Sequence, residues 1–330
     1  MSDRMEHHSV LPGVFSLPAL RISRDEMIAF ARVFDPQPFH IDEDAAEGSL
    51  LGGLAASAWY TCARIWERFD AVARGLRLDV QLAGLEQILL HAPVRAGDQL
   101  FGNVQLGAVE LCACGDTACR GRIDVKNQRG ESIMRLMLDL IVKPPVGNSV
   151  DIRQSCKLRQ ARPARAQRKP RDDVIRHFEE IGIGDEAVLG PYAFDLSKIE
   201  SFHALTCGER EQVLFTDGGG HLMVPDWHLP AAWMACMLRY YEDEADRFIA
   251  RGLAVPRLGP AAGVKHLRWA RPVRIGETIM FRGWAERKME LASHKDWGLL
   301  VVGAEGIDSC GNVVVSFCPQ MLIERVGTTA

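Results

Sequence analysis

An aspartate and a histidine, Asp35 and His40, share a short stretch with two prolines: Asp35-Pro36-Gln37-Pro38-Phe39-His40. Asp35 and Gln37 each precede a proline, which pushes both away from helical geometry. The apolar helical pattern ahead of them must therefore stop near Phe34. A fully extended path would hold the carboxyl and the imidazole about 15 Å apart, whereas two groups sharing one water must lie within roughly 6 Å. The loop has to fold back, and Pro38 is placed to start the turn. A carboxyl and an imidazole meeting beside a cavity form an acid/base pair. The plain alternative is an ordinary Asp-Pro turn followed by a surface histidine.

A second stretch, Leu50-Leu51-Gly52-Gly53-Leu54-Ala55-Ala56-Ser57-Ala58-Trp59, opens a long apolar pattern with two glycines. A helix N-terminus offers unpaired N–H groups and partial positive charge, and glycine allows close approach to the backbone. A carbonyl held there would gain an oxyanion hole, with the Gly53 N–H as donor. The plain alternative is a tight turn before a core helix.

The elements that must position these groups follow from patterning. Ser23-Arg24-Asp25-Glu26 reads as a capping box, and Met27, Phe30, Ala31 and Phe34 continue at helical spacing. A longer helix is expected from about Leu54 to Phe69, with Leu54, Ala55, Ala58, Trp59, Cys62, Ile65, Trp66 and Phe69 covering a broad face. Strand-like runs follow near Gln87–Ala92, Gln99–Leu106, Gly121–Asn127 and Ile133–Val142, separated by turn signals at Gly97-Asp98 and Arg129-Gly130. Helix first and antiparallel meander after is an α+β pattern. A sheet wrapped around one long helix satisfies it.

The chain also repeats itself. Gly84, Pro93, Val94, Arg95 and Gly97 recur as Gly263, Pro272, Val273, Arg274 and Gly276, each 179 positions on. Asn127–Ile133 meets Asp308–Val314 at a displacement of 181, and Ser23–Phe30 meets Asp195–Phe202 at 172. At that last offset Asp35 falls on Cys207, and no Pro-x-His follows it. If Trp59 pairs with Trp227, Gly53 falls on His221 and Ser57 on Pro225. Asp226 and His228 are a conceivable substitute pair, but their neighbours suggest a helix start where an aspartate caps and a histidine packs.

Together these residues resemble the MaoC-like dehydratase family, which includes the R-specific enoyl-CoA hydratases. The family pattern sets Asp, then Asn or Gln, Pro, an apolar residue and His after a capped helix, followed by a Gly-Leu-x-x-Ser-x-Trp helix start. Here it is met by Asp35, Gln37, Pro38, Phe39 and His40, then Gly53, Leu54, Ser57 and Trp59. The likeness runs from about residue 14 to 143, and Phe39 departs from it where a smaller aliphatic residue is common. The second copy looks like the same fold with its chemistry removed.

The resemblance implies two tandem hotdog folds, each an antiparallel sheet around a long central helix, with a catalytic half (1–143), a basic linker (144–173) and a degenerate half (174–330). It implies reversible addition of water to a trans-2-enoyl thioester, carried by coenzyme A or by an acyl carrier protein, giving a 3-hydroxyacyl thioester. Asp35 and His40 would be catalytic, with His40 as base and Asp35 as proton donor to C2, or the reverse. Gly53 would supply the oxyanion hole, and Gln37, Phe39 and Ser57 would contact substrate. No metal or separate cofactor is implied, coenzyme A being part of the substrate. An acyl tunnel is expected between the halves, which act as a pseudo-dimer with or without further dimerisation. A hotdog acyl-CoA thioesterase and a non-catalytic acyl-CoA-binding protein are the competing functions.

Bulk properties agree with that plan. The 330 residues suit two domains, and 47% apolar with 25% charged residues is ordinary for globular proteins. A formal charge of −4 gives no general attraction to nucleic acid or anionic membrane. No apolar run approaches the roughly 18–20 residues of a spanning helix, and the N-terminal residues lack a signal-peptide core. The expected location is the cytoplasm, where the nine cysteines would stay reduced. Cys112, Cys114 and Cys119 have spacing that could suit zinc, but without an evident fourth ligand they read as hairpin cysteines. The stretch 144–173 loses apolar periodicity and gathers basic residues, as a solvated linker would, or as a basic strap that meets the phosphates of a coenzyme.

Overall fold

The computed structural model describes residues 13–76, 78–111, 117–143, 168–170, 176–207 and 220–326. Two short strands, β1 (Val14–Ser16) and β2 (Leu20–Arg21), lead into helix α1 (Arg24–Phe34). Two short helices follow, α2 (Pro38–Ile41) and α3 (Glu43–Glu47), before the long helix α4 (Ala58–Gly75). Four long strands complete the first half: β3 (Asp79–Leu90), β4 (Gln99–Leu111), β5 (Thr117–Lys126) and β6 (Ser132–Lys143).

The second half repeats this order. After β7 (Lys169–Pro170) come β8 (Asp185–Ala193), α5 (Leu196–Thr206) and α6 (His228–Ala250). Strands β9 (Leu258–Trp269), β10 (Thr278–Glu290), β11 (Trp297–Ile307) and β12 (Val313–Glu324) then close the chain. The displacement of 179 read from the sequence carries β3 onto β9 and β4 onto β10 end to end, and that of 172 carries α1 onto α5. The repeat in sequence is a repeat in structure.

All twelve strands join one sheet, running β1-β4-β5-β6-β3-β9-β12-β11-β10-β8-β7, with β2 also pairing β4. Its centre is the antiparallel pair β3/β9, where Leu85 faces Leu267 and Ile88 faces Val264. The order on one side of this seam mirrors the order on the other, so the halves are related as two subunits of a dimer would be. Glycine makes the seam possible, because a Cβ at Gly263 would lie 2.7 Å from Ile88 O.

Local chemistry explains the helices. Ser23 caps α1, but Glu26 does not close the expected capping box. Its carboxylate accepts from the Tyr60 hydroxyl at 3.0 Å and from Arg64 at 2.8 Å, tying α1 to α4. Helix α4 starts at Ala58, later than the expected Leu54. Its residues Trp59, Tyr60, Thr61, Cys62, Ala63, Arg64 and Ile65 are all buried, so its first two turns are covered on every face. Strand β3 begins eight residues before the expected Gln87, because β6 pairs it from Asp79 onward, while β9 joins it only from Gly84. An aromatic cluster then joins the halves: Phe34 meets Phe202 edge-on at 5.5 Å, and Trp59 meets Phe317 at 5.6 Å.

Cys112 and Cys114, and residues 144–167 and 171–173 of the basic stretch, lie outside the described residues. At its described end Arg168 is paired with Glu305 at 2.6 Å and Glu186 at 3.2 Å and stacks 3.9 Å over Trp284. This one arginine is committed to the second half. Among the described residues no helix is long and apolar enough to cross a membrane.

Candidate active site

The chain turns back after α1 through a single helical turn. Asp35 is the C-cap of α1, its N–H still bonded to Ala31 O, and Gln37 takes the extended geometry that a following proline imposes. Pro38 then occupies the first position of α2, where its missing N–H costs nothing. The His40 N–H reaches back to Gln37 O at 2.8 Å. This reversal brings His40 Nε2 to 3.4 Å from Asp35 Oδ2, with both side chains almost wholly buried.

Three further bonds fix the pair. Gln37 Nε2 donates to Asp35 Oδ1 at 2.8 Å, and Ser57 Oγ donates to Asp35 Oδ2 at 2.7 Å. His40 Nδ1 lies 2.7 Å from Ala55 O. A carbonyl only accepts, so Nδ1 carries a proton, and Nε2 is the ring nitrogen turned toward Asp35. A single small polar molecule such as water could reach both Asp35 Oδ2 and His40 Nε2. Phe39 is 5% exposed, and its ring packs edge-on against His40 at 4.6 Å, which holds the imidazole plane.

Gly53 departs from its expected place. It sits at φ 135°, four residues ahead of the Ser57 cap, and its N–H already donates to Ala46 O at 2.9 Å. Residues 54–57 run extended instead: Ala55 N–H reaches Phe39 O at 3.2 Å and Ala56 N–H reaches Val94 O at 2.9 Å. The helix start therefore lies at Ser57 and Ala58, beside Asp35. Ser57 and Gln37, expected as substrate contacts, direct their donors at Asp35; the Ser57 hydroxyl also accepts from Trp59 N–H at 3.3 Å.

One participant was not singled out by sequence reading. Arg95, known there only as a repeat anchor, donates to Leu54 O at 2.9 Å and also to Leu51 O and Gly53 O. The identity of Arg95 and Arg274 across the repeat was the available clue, but it marks a shared turn and says nothing of where the side chain goes.

The equivalent place in the second half holds different chemistry. Cys207 is the C-cap of α5, where Asp35 caps α1, and its Sγ lies 3.3 Å from His203 Nδ1. His228 packs, as its neighbours suggested: it is fully buried, stacks on Phe202 at 4.6 Å and meets the Tyr192 hydroxyl at 3.1 Å. Burial drives its pKa down to about 3, leaving it neutral. Among the described residues no group of His, Cys, Asp and Glu is arranged to hold a metal. Between α6 and its sheet lies an apolar cleft, partly open to solvent, lined by Trp233, Met237, Tyr240, Trp284, Leu300 and Met321.

No family model matches the chain. Solved structures of similar shape span nearly all of it. A MaoC domain protein of Chloroflexus aurantiacus superposes with a TM-score of 0.70 at 13% identity, covering 96% of each chain. A MaoC-like dehydratase gives 0.63 at 16% identity, covering 96% of this chain and 98% of its own. A conserved hypothetical protein of Mycobacterium tuberculosis with a double hotdog fold gives 0.62 at 14% identity, covering 94% and 95%. By sequence, the uncharacterized protein YdeM of Bacillus subtilis is 33% identical over 98 residues. The chain spans 66% of that relative's length, a little under two thirds. The shared architecture is the double hotdog, with the two halves as an internal pseudo-dimer.

Proposed function

From the double hotdog fold that this chain shares with MaoC-like dehydratases, we propose that it is an acyl-thioester hydratase or dehydratase. The reaction is reversible syn addition of water to a trans-2-enoyl thioester of coenzyme A or of an acyl carrier protein. The observation that carries the reading is His40 Nε2 buried 3.4 Å from the Asp35 carboxylate, with the ring held by Ala55 O on its far side.

The geometry favours one division of labour. One water O–H points at Asp35 Oδ2 and the other at His40 Nε2. As the water oxygen attacks C3, His40 takes the second proton, and the imidazolium so formed returns it to C2 on the same face. The first hydrogen stays on the new hydroxyl, so atoms and charge balance. Asp35 orients the water and steadies the transient imidazolium, and general acid–base help of this kind contributes about 10²- to 10⁴-fold. Enolate charge on the thioester oxygen is met by the N–H groups of Ser57 and Ala58, for which no acceptor is found among the described residues.

The long helix of each half is taken as the filling of its hotdog, and the apolar cleft of the second half offers space for an acyl chain. Coenzyme A enters as part of the substrate, and no separate cofactor is assigned. The boundaries proposed for the two halves are 1–143 and 174–330. A cytoplasmic location is proposed, in keeping with free cysteines at Cys62, Cys119 and Cys236.

The test is incubation with a panel of trans-2-enoyl-CoA thioesters, read by mass spectrometry. Gain of one water with no free thiol supports the reading. Release of thiol without hydration would assign a thioesterase instead, and binding without turnover a non-catalytic carrier.

A further inference from the structure

The two halves hold the same loop by different means, and the difference falls at the catalytic pair. In the second half Leu222 lies just ahead of α6, and its carbonyl accepts from the Ile275 N–H at 3.0 Å. That bond belongs to a short backbone bridge between Met223 and Arg274. The Val224 N–H bonds Val273 O at 2.8 Å, as the Ala56 N–H bonds Val94 O in the first half. By that correspondence Leu222 matches Leu54, and Arg274 matches Arg95.

In the first half the carbonyl of Leu54 is held by a side chain instead. The Arg95 guanidinium collects the carbonyls of Leu51, Gly53 and Leu54 around one point. Its own turn is anchored by buried Asp98, whose carboxylate accepts from the Arg95 N–H at 2.8 Å. Arg274 keeps the same turn, its N–H donating to Glu277 at 2.8 Å. Gly53 beside the clamp adopts φ +135°, a backbone conformation that suits glycine. Three carbonyl oxygens turned toward one another repel unless a cation with several donors sits among them, and the planar guanidinium fork is suited to that task.

We infer that Arg95 is a positioning residue for the reaction proposed above. It fixes Leu51–Leu54 at the distance from which Ala55 O meets His40 Nδ1 and Ser57 Oγ meets Asp35. Without the clamp the loop relaxes, the Nδ1–H tautomer is no longer imposed, and the Nε2 lone pair is lost for part of the time. The inference rests on the hydratase reading for its kinetic arm, but its structural arm stands without it.

The experiment compares Arg95→Ala, Arg95→Lys and Arg274→Ala with the wild type. Arg95→Ala lowers kcat about 10²-fold, with KM changed less than about threefold, and added guanidinium ion restores part of the rate. Arg95→Lys keeps the charge but offers a point donor in place of a fork, so it loses about tenfold and covers the case in which the alanine variant does not fold. Arg274→Ala keeps the wild-type kcat. In parallel, ¹⁵N-histidine NMR reports the His40 tautomer: Nδ1–H alone in the wild type and a mixture in the Arg95 variants. A wild-type tautomer in both Arg95 variants overturns the inference, as does an equal loss of kcat in Arg274→Ala. Should the wild type hydrate no thioester, the functional reading fails, and the NMR arm still decides the role of Arg95.

Discussion

His40 turns its Nε2 toward Asp35 because a backbone carbonyl, Ala55 O, holds the opposite ring nitrogen. The Asp35 carboxylate is held in turn by Gln37 and Ser57. Ser57 does two jobs, since its hydroxyl also caps α4. Ser57→Ala is therefore expected to cost about 1 kcal/mol of stability as a lost cap. It should also lower kcat by about 10- to 100-fold as a lost partner of the reacting group; thermal unfolding and steady-state kinetics separate the two effects. At this scale Asp35 and His40 were legible because proline restricts its own residue and the one before it, so the reversal is written locally. The surroundings of Gly53 were not legible: its N–H donates to Ala46 O, and residues 54–56 are held by Phe39, Val94 and Arg95. Those partners are distant in sequence, and no local pattern announces them.

At the scale of elements, α1 and α5 match residue for residue, while α4 and α6 have diverged. The start of α6 carries His228, buried among Phe34, Phe194 and Phe202 and kept neutral by desolvation. Its pKa falls from the ordinary 6.5 to about 3. Below pH 6.5 the unfolded chain takes up a proton that the folded chain refuses, so stability is complete above that pH and declines toward pH 3. At pH 4.5 this one residue should cost the fold about 2–3 kcal/mol relative to pH 7. Urea unfolding at both pH values checks it: His228→Phe should lack this part of the acid loss, and an undiminished loss in the variant would contradict the assignment. The sequence anticipated that His228 packs, but its neutral state depends on rings from both halves. The helix and strand cores were readable from apolar periodicity. Their ends were not, because β3 is extended by its pairing with β6 and α4 is delayed by its extended lead.

At the scale of the whole molecule, the repeat in sequence becomes a sheet symmetric about the β3/β9 seam. The seam is crossed by Arg268, which meets Asp139 at 2.8 Å and Glu86 at 3.2 Å. Gly84 lies under it, and a Cβ there would stand 2.7 Å from Leu267 O and 2.5 Å from Arg268 Nη1. Gly84→Ala is expected to destabilise the chain by about 1–3 kcal/mol through overpacking. Because the sheet is continuous, both halves should still unfold in one transition. Gly75→Ala, at the open end of α4, serves as the neutral comparison. The pseudo-dimer could be foreseen from Gly84, Pro93 and Gly97 recurring at one displacement, since each marks a turn or a close approach that the fold needs twice. The difference between the halves at the caps of α1 and α5 was equally visible, as Cys207 in place of Asp35. The packing of the Trp59, Phe317 and Trp233 rings was not, because they come from three distant segments.

The most direct measurement is the rate of water addition to a short trans-2-enoyl-CoA by the wild type, Asp35→Asn and His40→Asn, with folding checked by circular dichroism. Hydration by the wild type, and a fall of about 10²-fold or more in each folded variant, is the result expected of a water held between that carboxylate and that imidazole. Undiminished hydration in either folded variant would contradict it.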